Sequence, residues 1–350
     1  MTTIQNLLEG LSSAFKDQLP FVAYKKPNEK FVKAIFQKDS TLHLVKDYSE
    51  TGFVFAPFDM EKSAVLIPLD KEMKADFTDL KVALNTDRLF EESGIDKKNH
   101  LQFTEDTLHF IDAEKISKIV IARAKAVHLS KVDFIRIFKR LLFAYPEANT
   151  YVWYHPKVGM WMGASPETLL CIDGKKIQTM SLAATQAYVN TVDVKWGIKE
   201  IEEQQMVTNY ISKHLKNAVE NIAVSKVYTI RSGTLLHLRT DITGVINSKK
   251  SLSEIINTLH PTPAVCGFPR EKAKQFIIEK ESFDRLFYAG FLGELNIDQS
   301  TNLFVNLRCL QKVSEHTLIL YVGGGITAKS NAEKEWEETC FKCKIIEKVL

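Results

Sequence analysis

The chain has no apolar stretch near the roughly 20 residues that a membrane-crossing helix needs. It also has little excess of either charge. Its 350 residues carry 46 Lys+Arg against 43 Asp+Glu, a formal net charge of +3, and that makes no general case for nucleic acid as a partner. Cysteines are few and odd in number: Cys171, Cys266, Cys309, Cys340 and Cys343. Residues 1–10 lack a basic segment followed by an apolar run, so no signal peptide is read, and the thiols are expected to be reduced, in the cytoplasm. Cys340 and Cys343 form a lone Cys-x-x-Cys within a helical pattern. Zinc or redox chemistry needs a second pair or a strand-to-helix turn, so they read as packing thiols.

Other absences narrow the chemistry. There is no Gly-x-x-x-x-Gly-Lys-Ser/Thr loop, no Gly-x-Gly-x-x-Gly after a strand and no Gly-x-Ser-x-Gly elbow. Nothing marks a nucleotide or serine-hydrolase site. No His/Cys cluster competes for a transition metal. Without repeats, low-complexity segments or a Pro/Gly-rich linker, residues 1–350 are expected to form one domain. No coiled-coil or swapped-arm signal appears, so a monomer is expected.

What remains is an ordinary globular composition, 45% hydrophobic and 25% charged. Residues 1–110 read as short strands, such as 42–45, 52–55 and 64–67, with helices between, and function is hard to locate there. From Lys115 the pattern sharpens. Residues 118–123 form an apolar β-branched run, hence a strand, and 131–145 have helical periodicity that stops before Pro146. Hairpins are expected at 151–154/160–164 and 168–172/176–180. A long helix is expected over 194–220, with Ile201, Val207, Tyr210, Ile211 and Leu215 as its apolar stripe. Strands return at 226–230, 235–238, 302–308 and 317–322, and a last helix covers 332–349. Adjacent hairpins favour antiparallel sheets with helices packed on them, an α+β class.

Four constellations carry chemistry. Glu200 and Glu203 lie three residues apart on one helix face, as do Glu335 and Glu338 with Lys342 beyond them. Taken singly, each pair reads as a solvated face; facing each other, they form an all-oxygen set suited to Mg²⁺. Gly323, Gly324 and Gly325 follow a strand and allow close backbone approach to an anion, beside Arg308 at the end of another strand. Lys118 alternates with Val120 and Ala122; in apolar surroundings it would serve as a base, while Glu167, partly desolvated after Pro166, would serve as an acid. The His260 to Gly267 loop, with Pro261 and Pro263, offers Ala264 and Val265 as small apolar walls, and His237 could donate to a substrate oxygen.

Together these segments resemble the chorismate-utilising enzymes, which include isochorismate, salicylate, anthranilate and aminodeoxychorismate synthases. The resemblance runs from about Lys115 to Leu350, and rests on KIVIAR, GASPETLL, SLAATQ, KEIEEQ, LLHL, HPTPAVCGFP, FDRLFYAGFLGE, FVNLRC, YVGGGI and EKEWEETCFK in family order. It implies two large antiparallel sheets flanked by helices, with the active site between them. It implies Mg²⁺ held by Glu203 and Glu338, with Glu200 and Glu335 just behind. Arg308, Tyr288 and the backbone of Gly324 and Gly325 would take the side-chain carboxylate of chorismate. Thr185 would contact the ring carboxylate region, and His237 and Lys342 would line the pocket.

Lys118 looks like the water-activating members, and the loop from His260 to Cys266 looks like isochorismate synthase. The resemblance therefore implies a hydroxymutase with Lys118 as base and Glu167 as acid, working without a glutaminase subunit. Salicylate synthase and a non-catalytic chorismate-binding protein are the alternatives. The short N-terminal region leans toward menaquinone rather than catechol siderophore synthesis. Three positions depart from the family pattern. Ala184 stands where Gly is usual, Gln186-Ala-Tyr188 replaces an Arg-rich segment, and Gln204 stands where many members have His.

Overall fold

The structure, a computed structural model, describes residues 1–84, 90–233 and 235–350. They form two antiparallel sheets with seven helices among the described residues. The nine-stranded sheet runs Gly267–Phe268, Lys118–His128, Thr317–Ile326, Cys309–Lys312, Gly159–Ser165, Asn149–His155, Phe21–Lys25, Phe31–Phe36, Lys71–Asp76. The ten-stranded sheet runs Val219–Val224, Leu235–Ile246, Lys176–Ala187, Thr168–Asp173, Ser300–Val305, Phe291–Ile297, Gly52–Ala56, Val65–Pro68, His43–Leu44, with Tyr228–Ser232 also paired to Leu235–Ile246. The α+β expectation of two antiparallel sheets with helices holds. Both sheets draw strands from the N-terminal third, which is therefore structural framework rather than an appendage.

Alternation along the strands divides the core. Val22 and Tyr24 face the layer between the sheets, where they join Phe53, Phe55, Trp153, Trp161 and Leu292. Phe21 and Ala23 face the other way, toward Leu7, Leu11, Phe138, Leu141 and Ile346 from helices Ile4–Lys16, Phe134–Ala144 and Ala332–Glu347. Buried side-chain hydrogen bonds cross between the sheets. Tyr24 donates to Glu294 and Tyr151 donates to Asn306, each at 2.6 Å.

Several boundaries differ from expectation. The helix expected over 194–220 is Ile198–Leu215, because residues from Val219 join Val219–Val224 as an edge strand. Its buried stripe is Val207, Tyr210, Ile211 and Leu215, while Ile201 is exposed. The helix expected from 131 starts at Phe134, where Asp133 caps Arg136 N–H. Strand Ser300–Val305 ends before Arg308, which adopts a left-handed φ of 48°. The three glycines do not follow their strand; they lie inside Thr317–Ile326, with Gly325 opposite Val120 and Gly323 opposite Ala122.

That last placement matters. Cys309–Lys312 pairs only with 318–321, so beyond Tyr321 the strand is paired along one edge. The free edge of the glycine segment is open to a ligand.

Helix Ala332–Glu347 carries Cys340 and Cys343, and Arg123 Nη2 approaches the two sulfurs at 3.7 and 3.6 Å. All five cysteines are free thiols, and these two pack against a guanidinium as the packing reading expects. No helix of the described residues is long and apolar enough to cross a membrane.

Candidate active site

One cavity, of about 150 Å³, gathers most of the residues singled out from the sequence. Glu167, Thr185, His237, Ala264, Tyr288 and Arg308 line it, as do Glu200, Glu203, Gly324, Gly325, Glu338 and Lys342. Three do not reach the wall. Val265 is buried in the core behind Ala264, and its carbonyl accepts from Arg285 at 3.0 Å, which corrects its assignment as a wall residue. Glu335 and Lys118 lie just behind the lining.

Lys118 is 1% exposed, as a strand position facing the core dictates. Its surroundings are not apolar throughout, however: Nζ lies 2.7 Å from Glu203 Oε1. Gly325 makes room for this pair. A Cβ there would sit 2.7 Å from Lys118 Cε and 2.9 Å from Glu203 Oε1.

Glu167 is fully buried at the strand-to-strand turn after Pro166. Burial pushes its carboxyl up to about 8, and the nearby charge of Lys118 pulls the other way. A carboxyl so placed keeps its proton at neutral pH, which is the state expected of an acid.

Arg308 reaches the cavity from its left-handed turn. Nη1 donates to Ser232 Oγ at 2.8 Å, and Nη2 donates to His237 Nε2 at 2.8 Å. Burial lowers its guanidinium to about 10. His237 Nδ1 lies 2.8 Å from the Ala184 carbonyl. Nε2 must accept from a guanidinium that has only donors, so Nδ1 carries the proton and donates to Ala184. Burial, then Arg308, push the imidazole down to about 3. Both ring nitrogens are thus committed, and His237 has no donor left for a substrate oxygen. It positions Arg308 instead, which corrects the expectation.

The Ala184 carbonyl is available because Ala184 sits at φ 64°, inside a bulge where pairing slips between Ala183 and Gln186. That backbone suits glycine, and alanine adopts it only with strain. Gln204, the other departure, donates to Thr240 at 2.7 Å and to Thr208 at 3.0 Å. It pins the helix bearing Glu203 to the ten-stranded sheet.

The glutamates do not stand alone. Lys342 Nζ lies 2.7 Å from Glu338 Oε1 and donates to the Gly323 carbonyl at 2.7 Å. Burial would raise the Glu338 carboxyl, but Lys342, with Lys199 and Lys118 behind it, holds it below the usual range. Lys199 Nζ lies 2.7 Å from Glu335 Oε1. Lys199 opens the KEIEEQ motif, and its position one residue before Glu200 was the only sign in the sequence of a place in this site.

Among the described residues, Glu92, Cys343 and Glu347 form a group of three potential ligands with atoms within 4.8 Å of one another, and Lys125 already bridges the two carboxylates there at 2.7 and 2.8 Å. The cavity glutamates are more spread, yet all are hard oxygen donors on one cavity. By donor chemistry Glu200, Glu203, Glu335 and Glu338 fit a hard divalent cation better than any soft metal.

The family profile described as "Chorismate binding enzyme" matches residues 55–350. Isochorismate synthase EntC of Escherichia coli (strain K12) is 30% identical over 238 residues, 65% of this chain and 61% of that enzyme. Isochorismate synthase MenF of the same strain is 31% identical over 259 residues, 69% of this chain and 58% of that enzyme. These alignments cover about three fifths of the relatives' length, 61% and 58%.

In structure, DhbC of Bacillus anthracis, assigned as a 2,3-dihydroxybenzoate-specific isochorismate synthase, superposes with TM-score 0.81 at 25% identity over 98% of this chain and 99% of that one. Anthranilate synthase component I of Streptococcus pneumoniae TIGR4 shares the fold, with TM-score 0.71 at 16% identity over 94% and 92% of the two chains. With its cavity, its two-sheet fold and a profile match over most of its length, the chain belongs to the chorismate-binding enzyme family.

Proposed function

We propose that the chain is a Mg²⁺-dependent isochorismate synthase. The observation that carries this reading is Glu167, a buried carboxyl raised to about 8, in one cavity with Arg308 and within reach of the charge of Lys118. Water adds at C2 of chorismate and the C4 hydroxyl departs, so one water enters and one leaves. Lys118, as the neutral amine after its own proton has passed to solvent, takes the proton from the attacking water. Glu167 gives its proton to the departing hydroxyl. An acid and a base in different environments are what this exchange requires.

Arg308 holds the carboxylate of the enolpyruvyl side chain, with Tyr288 and the open strand edge at Gly324 and Gly325 beside it. Thr185 contacts the ring carboxylate region, and Ala264 closes the apolar wall. Glu203 and Glu338 hold the metal, with Glu200 and Glu335 behind. When bound, Mg²⁺ supplies a Lewis acid that fixes the ring carboxylate. Charge balance supports joint loading: a dication and the dianion chorismate add nothing net to a site where Lys118, Lys199 and Lys342 already pair with Glu203, Glu335 and Glu338.

The reading also includes residues 1–350 acting as one domain, as a monomer in the cytoplasm, without a glutaminase subunit. Chromatography of products from chorismate, with and without Mg²⁺, tests it. Isochorismate formed only with Mg²⁺ supports it. Pyruvate release indicates salicylate synthase, ammonia dependence an amine-adding enzyme, and binding without turnover a non-catalytic protein. Lys118→Ala is expected to abolish turnover and keep chorismate binding.

A further inference from the structure

We propose that Lys199 is the internal counter-cation of the carboxylate site, competing with the divalent metal for Glu335. The proposal rests on the metal-dependent reading above.

Lys199 stands in the first turn of helix Ile198–Leu215, whose N-cap, Gly197, makes no side-chain cap. The positive end of the helix dipole disfavours a cation there. Glu335 offsets that penalty. It is 3% exposed, and a carboxylate buried so deeply needs a partner. Lys199 Nζ supplies one at 2.7 Å.

Three lysines pair with the site's glutamates, yet they are not equivalent. Lys118 is 1% exposed and wedged against the Gly325 backbone, and Lys342 is also bound to the Gly323 carbonyl. The Lys199 side chain is 28% exposed on the cavity lip and can withdraw into solvent on its flexible stem. The carboxylates of Glu203 and Glu338 also act on its charge. A divalent cation drawing on these carboxylates must displace that ammonium or sit against it. In the metal-free chain, Lys199 therefore keeps Glu335 neutralised; in the loaded chain, it moves aside.

Calorimetric titration of the full chain with Mg²⁺, and melting in EDTA and in Mg²⁺, test this in wild type, Lys199→Met, Lys199→Gln and Lys199→Arg. Both neutral variants are expected to bind Mg²⁺ at least about fivefold more tightly, the low end of ordinary coupling between two ligands. They melt below wild type in EDTA, where Glu335 is unpaired, and gain more from Mg²⁺ than wild type does. Lys199→Arg keeps wild-type affinity. Neutral variants with equal or weaker affinity overturn the proposal, as does tightening in Lys199→Arg. Wild type that takes up no Mg²⁺, alone or with chorismate present, overturns the metal-dependent reading itself and the proposal with it.

Discussion

Arg308 Nη2 donates to His237 Nε2 across 2.8 Å, and the same imidazole donates from Nδ1 to Ala184 O across 2.8 Å. The cavity-lining guanidinium is thereby tied, through one neutral ring, to a bulge in the strand that carries Thr185. His237→Ala removes the acceptor and leaves Arg308 free to turn. A hydrogen bond to a charged group contributes about 1.5–3 kcal/mol, so KM for chorismate should rise roughly tenfold or more with a smaller change in kcat. Steady-state kinetics checks it; an unchanged KM would show that Ser232 alone holds the guanidinium.

Glu167→Gln keeps the shape of the acid and removes its proton. Turnover should fall about 10²–10⁴-fold, the usual worth of a general acid, while chorismate binding persists. Near-normal turnover would remove Glu167 from the mechanism.

The same residue predicts two pH effects. Activity should fall as pH rises through about 8, where the folded carboxyl loses its proton. Stability has the same sign. The folded pKa lies above the ordinary 4.5, so the folded chain binds this proton where the unfolded chain has released it. Its contribution is whole below 4.5 and is lost progressively as pH rises to about 8. Melting temperatures across that window should fall more steeply in wild type than in Glu167→Gln.

Gly325→Ala puts a methyl 2.7 Å from Lys118 Cε and 2.9 Å from Glu203 Oε1. The pair must move. Overpacking of this kind costs about 1–3 kcal/mol of stability, which a domain of this size tolerates. Turnover should drop further than stability does. Denaturant melts and kinetics on one preparation separate the two, and a fully active Gly325→Ala would exclude any need for this pair's placement.

Ala184→Gly should be neutral or stabilising, unlike the usual cost of glycine. A left-handed backbone costs an alanine about 1–2 kcal/mol, which offsets the greater freedom of glycine in the unfolded chain. Ala184→Val should destabilise, since a branched residue fits φ 64° poorly. Equal melting temperatures for all three proteins would argue against this conformation.

Much of this was legible in the sequence. The apolar β-branched run 118–123 and the hairpin at 151–164 show in residue order because strands buried on both faces are largely apolar throughout, which is a local pattern. Glutamates three apart share a helix face by geometry alone; that the two pairs meet at one site was implied by the family resemblance and not by spacing. The desolvation of Glu167 was expected from its place after Pro166.

What tertiary structure decided is who meets whom. Residue order does not say that Lys118 ends on Glu203, that Lys199 ends on Glu335, or that both nitrogens of His237 are taken. Those partners lie far apart in the chain, and only the pairing of strands and the docking of helices bring them together. The glycines look like a turn in sequence; they are an open strand edge because the neighbouring strand Cys309–Lys312 reaches no further than Tyr321, opposite Cys309. By itself the sequence determined which chemical groups exist and which local faces they share. The fold decided which charges neutralise each other, because that depends on distances across sheets that no local pattern encodes.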